Sequence, residues 1–261
     1  MRRIGALILL LCLLPVNMFS FAEEGATDGV YELSSLARLG EGEEAVYAAE
    51  SSYYSGDPVY KGKTGRVLTG ACALHCAAVV LSNFKQETIS AQTVTAVNNM
   101  HIKKEQNWIA FVAWGKVAGA YGVSFTSFNM AQYGARLKQR GVKTAERRAD
   151  KLNTLMQALT DYGSGVGVIA HFNSTGRLNG SGHRHAVVIL GGIYRGEELV
   201  DLLISDSSVA APQGACVRLS ESSLPLSMLR EKKLAAAQEA GENLALLMMD
   251  YLVSYRYIDR N

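Results

Sequence analysis

Residues 70–84 read GACALHCAAVVLSNF. From Ala73 onward the run is apolar nearly all round, and a helix hydrophobic on every face belongs inside a domain rather than on its surface. The stretch therefore predicts a buried helix, headed by Cys72. A thiol at a helix N-terminus meets the positive end of the helix dipole and backbone N–H groups without helical partners. Both favour the thiolate, the reactive form. The same N–H groups can stabilise an oxyanion when a thiolate attacks a carbonyl. Cys76, one turn further in, reads as a small core residue or a disulfide partner.

Downstream, Trp108, Phe111, Val112 and Gly115 recur at helical spacing and predict a helix over 107–120. Two more are expected over 130–139 and 145–162, each stopping near a glycine, Gly141 and Gly163. The character then changes to short runs of Val, Ile and Leu: GVGVIAHF at 165–172, HAVVILGGIY at 185–194 and LVDLLIS at 199–205. Arg195-Gly196-Glu197-Glu198 makes a turn between the last two, hence an antiparallel pair, and the alternating YLVSYRYI at 251–258 adds a further strand. Helices first and strands afterwards predict an α+β fold rather than a doubly wound sheet.

The chain has 261 residues, 48% hydrophobic and 19% charged, which excludes a disordered chain, a collagen-like repeat and a multi-span membrane protein. Residues 1–22 read as a secretory signal peptide: Arg2 and Arg3, an apolar run over 4–14, Pro15, then Ser20-Phe21-Ala22 at the cleavage site. The run is shorter than the roughly 20 residues a bilayer span needs, so the exported chain is expected to keep no membrane span. Without those two arginines the charges balance, and no basic stripe gives a reason to expect a nucleic-acid partner. Residues 23–52 read as a leader or propeptide-like segment, with one short helix expected before residue 50, and 53–261 as one domain. Past the signal three cysteines remain, Cys72, Cys76 and Cys216, so at least one thiol lies outside any internal disulfide.

His185 opens an apolar strand after the glycine-rich loop 173–182, where it is placed to take a proton from a thiol. Asp206 ends the partner strand, and the short turn brings that end back beside His185. A carboxylate there could accept from the imidazole Nδ1–H and orient the ring. Asp201, inside the strand, is the weaker orienter, and Asn173 the fallback. His183 and His185 form a His-x-His pair, but no third and fourth ligand stand at familiar metal spacings. His75 and His171 read as residues satisfying local hydrogen bonds, and His101 as exposed.

The order of these parts resembles a papain-like cysteine peptidase, and more closely the branch of bacteriocin-processing (double-glycine) peptidase domains and their secreted relatives. The residues that carry it are Gly70-Ala71-Cys72-Ala73-Leu74 with the following AAVVLSNF, LMQALTDYGSGVGVIAHF at 155–172, the HAVVILGGIY strand and LLISDS at 202–207. The resemblance spans about 53–258 and implies a papain-like α+β fold, with a helical part holding the Cys-headed helix followed by an antiparallel sheet. It implies a Cys72–His185–Asp206 triad cleaving peptide bonds through an acyl-enzyme, a peptide or protein substrate, and no cofactor. Three departures stand out: Ala73-Leu74 replaces the usual Gly-Pro, Ser207 replaces a Pro, and Arg66 stands where the family carries an oxyanion-donating Gln. A cell-wall amidase of similar chemistry and a non-catalytic peptidase-like binding module are the alternatives. The amidases, however, hold Cys and His much closer in sequence.

Overall fold

The computed structural model describes residues 28–32, 42–46, 51–55, 71–102, 112–207 and 216–259. The signal segment 1–22, the Arg66 position, and Trp108 and Phe111 lie outside the described residues. Seven antiparallel strands form the main sheet: six run in the order β4 (Ser124–Phe128), β9 (Leu252–Asp259), β5 (Val168–Asn173), β6 (Arg184–Arg195), β7 (Glu198–Ser205), β8 (Cys216–Arg218), and β2 (Glu43–Val46) pairs with β6. A separate antiparallel pair joins β1 (Asp28–Glu32) to β3 (Ser51–Ser55). The chain is thus mixed α+β.

Helices cover both faces of the sheet, which explains why its central strands are continuous apolar runs rather than alternating ones. Along β6, residues 186–193 are all buried. Ala186, Val188 and Leu190 face the side of α1 (Cys72–Lys85), while Val187 and Ile189 face the side of α5 (Thr144–Ala158). Residues 74–83 of α1 are all buried, as its all-round hydrophobicity requires. The approach between layers is close at Gly167, which has φ +96, and a Cβ there would lie 2.5 Å from Val188 Cγ1. No other residue fits that conformation and that space without strain.

Most expected elements are present. The helix expected over 130–139 is α4 (Met130–Gln139), and α5 begins one residue early and continues as a π-helical turn through Gly163. The β6–β7 hairpin turns at Gly196, with φ +63. Several expectations need correction. The helix placed over 107–120 begins, in the described residues, at Trp114 (α3, Trp114–Ala120). No helix is found among the described residues before 50, which are instead strands. Helices do not simply precede strands. Beyond β4, which falls among the helices, α6 (Leu224–Glu239) and α7 (Leu244–Met248) follow the hairpin and pack on the α5 side. Helix α2 (Ala91–His101), capped at its start by the Ser90 side chain, is not among the expected elements. No helix among the described residues is long and apolar enough to cross a membrane.

Phe172 is one of the largest fully buried side chains and lies opposite His185 in the β5–β6 register. Phe172→Ala should destabilise the protein by about 3–5 kcal/mol, a large share of an ordinary domain's stability. Chemical denaturation of the two forms measures it.

Candidate active site

Three elements converge on the candidate site. Cys72 begins α1, His185 is the second residue of β6, and Asp206 follows the last residue of β7. Ala71 at the helix start supplies no side-chain cap, and no acidic residue sits in the first turn. The positive end of the dipole is therefore not offset by the helix's own side chains.

His185 Nε2 donates to Asp206 Oδ1 at 2.7 Å, and the Cys72 side chain hydrogen-bonds the same ring. The His185 side chain is only 10% exposed and that of Asp206 fully buried. Burial opposes a charge on His185, but hydrogen bonds to Asp206 and Cys72, with their negative charges, more than offset it, pushing the imidazole up to about 10. These surroundings favour the charged form of the ring despite its burial. The nitrogen assignment differs from the expectation above: Asp206 takes the proton on Nε2, which leaves Nδ1 for Cys72. Ser223, just before α6, also donates to Asp206, through Oδ2 at 3.5 Å.

The remaining candidates fall elsewhere. His183 lies in the exposed loop, where its backbone N–H bonds Ser174 Oγ at 2.9 Å. Among the described residues there is no cluster of three or more His, Cys, Asp or Glu side chains able to hold a metal. Asp201 is buried too, but it accepts from Leu202 N and from Ser220. Burial raises its carboxyl, and those bonds work against the rise. It lines a separate cavity of about 540 Å³ at the start of β7, with Glu43, Arg195 and Arg218. There Glu43 bridges both arginines. Asn173, the fallback orienter, instead holds the glycine-rich loop, donating to Gly180 O and accepting from Thr175.

Cys76 and Cys216 are buried free thiols in one core cluster, so the disulfide the sequence allowed between them is not formed. Burial pushes the Cys76 thiol well above its ordinary value. Cys72 is the half-exposed thiol of the three. His75 is fully enclosed behind it and shares a hydrogen bond with Ser205 Oγ at 3.2 Å. The bond is not the local one expected of His75, since its partner is 130 residues away. The signal for this was legible in part, since His75 stands one turn into a helix with no exposed face. His171 accepts from Arg256 at 2.7 Å, which stacks over Trp114.

In comparisons of the sequence with protein-family models and with curated proteins, nothing matches.

Proposed function

We propose that this protein is a cysteine peptidase of the papain-like group, closest to the bacteriocin-processing branch, acting on a peptide or protein substrate after export. The observation that carries the reading is the hydrogen-bonded series Cys72–His185–Asp206, with the thiol at a helix start and the carboxylate fully buried. In this mechanism the Cys72 thiolate attacks the scissile carbonyl carbon. The oxyanion forms beside the backbone N–H groups of the first turn of α1. The His185 imidazolium gives its proton to the leaving amine, and an acyl-enzyme remains. His185, now neutral, takes a proton from water, the hydroxide attacks the thioester, and the thiolate leaves. Asp206 keeps the ring in one tautomer and one orientation throughout.

Thiol reactivity tests this reading without a known substrate. Brief iodoacetamide treatment of the folded protein at about pH 6–7, where an ordinary thiol reacts slowly, should label Cys72 well ahead of Cys76 and Cys216. Cys72 is half-exposed and hydrogen-bonded to the His185 ring, whereas the other two thiols are buried. Peptide mapping gives the order. Labelling of Cys76 first, or a Cys72 that stays unlabelled, would remove the nucleophile and with it the peptidase.

A further inference from the structure

The three reacting residues are not held together equally well. His185 lies on β6 and Asp206 directly after β7, and the backbone ladder between these strands, from Arg195↔Glu198 to Val188↔Ser205 with two register shifts, ties one to the other. Cys72 arrives on a helix that rests on the sheet through Leu, Val and Ala side chains. Apolar contact is non-directional and leaves sliding of a helix along its groove weakly opposed. A displacement of about 1 Å at the reacting atoms is enough to cost a large factor in rate. Something directional has to set where the head of α1 stops.

We propose that His75 and Ser205 are that device: a positioning pair whose buried hydrogen bond locks the catalytic end of α1 against the end of β7. His75 lies one turn behind Cys72, and Ser205 is the residue directly before Asp206. Their 3.2 Å bond thus joins the nucleophile's helix to the strand that carries the orienting carboxylate. Both residues are buried, His75 at 1% exposure and Ser205 at 0%, so water does not compete for either. The far end of the helix has its own polar tie, Asn83 Nδ2 donating to Val166 O at 3.0 Å. With a bond near each end, the helix has one position along the sheet.

The imidazole suits this role because it stays uncharged. Burial pushes His75 down to about 4, with Asp206 pulling upward and His185 downward. The titratable groups acting on it are His185 at the head of β6 and Asp206 just after β7. A cation at this point would compete with His185 for Asp206; a neutral ring does not. His75 touches no reacting atom in this account and acts only by placing Cys72.

The inference rests on the triad reading above, and one experiment separates the two. The rate of Cys72 alkylation by iodoacetamide is followed in the full chain from about pH 4 to pH 9. The forms compared are wild type, His75→Phe, Ser205→Ala, the double variant and His75→Gln. Wild type should react readily at about pH 6. His75→Phe and Ser205→Ala should each lose on the order of tenfold near pH 6 and approach wild type at the alkaline end. The double variant should lose no more than either single one, because both remove the same bond. Gln, whose amide reaches the Nε2 position, should restore most of the rate. A His75→Phe profile that overlays wild type, or that falls by one factor at every pH, would overturn the proposal. The second result would be a change in access rather than in the ion pair. Should His75→Phe fail to fold, by circular dichroism, Ser205→Ala decides alone by the same criteria. A wild-type Cys72 that stays unlabelled at about pH 6 would instead overturn the triad reading, and the positioning pair with it.

Discussion

Cys72→Ala and His185→Ala should each abolish peptide hydrolysis, whereas His183→Ala should keep most of it. Loss of the nucleophile or of its base alone removes on the order of 10⁶ in turnover in a triad, and removing both costs little more, because the groups act as one unit. The geometry makes the two histidines very unequal. His185 is hydrogen-bonded on one side to Asp206 at 2.7 Å and on the other to Cys72, inside a nearly closed site. His183, two residues earlier, sits in an exposed loop tied down by its backbone. Turnover of an unstructured peptide mixture, followed by mass spectrometry, distinguishes the three variants. Equal losses at both histidines, with sensitivity to a chelator, would point to a metal pair and away from the triad.

Asp206→Ala should lower turnover by about 10⁴-fold, the cost when an orienting carboxylate fails to hold its imidazole, while unfolding stays cooperative. The pH dependence should change in a definite direction. Asp206 and Cys72 together hold the His185 imidazolium, pushing the ring up to about 10 against the effect of burial. Without Asp206 part of that support is lost while the burial stays, so the ring loses its proton at lower pH. The alkaline limb of the residual turnover, where the leaving amine needs the proton of the charged ring, therefore moves to lower pH. Asp201 is in no position to compensate, since its carboxylate is committed to Leu202 and Ser220. Wild-type activity in the variant would assign the orienting role to another group.

Much of this site was legible before any coordinates. An apolar run without a polar face has no stable place except between layers, so residues 74–83 had to form a buried helix, and Cys72 had to stand at its start. The β6–β7 hairpin was equally readable, because Arg195-Gly196-Glu197-Glu198 between two apolar runs reads as a turn, and Gly196 takes φ +63 there. Other elements were lost to weak local signals. The run that became α6 has its apolar residues spread over the helix surface and an internal break at Arg230, with φ 64, so no amphipathic stripe announced it. Strand β4 (SFTSF) is half-exposed and near mid-chain, and its pairing partner β9 is Leu252–Asp259.

By itself, then, the sequence determined the chemistry available and the local elements that bear it: a thiol at a helix start, an imidazole at a strand mouth, a carboxylate at a strand end. Each follows from local periodicity and from the backbone conformations those residues allow. Only the tertiary structure decided which nitrogen of His185 meets which partner, because ring orientation depends on where α1 sits relative to the hairpin. It also decided that Cys76 and Cys216 stay reduced within one core, and that His75 reaches Ser205 across 130 residues. These are long-range contacts, fixed when the helix settles on the sheet, and nothing in the local chain encodes the position at which it stops.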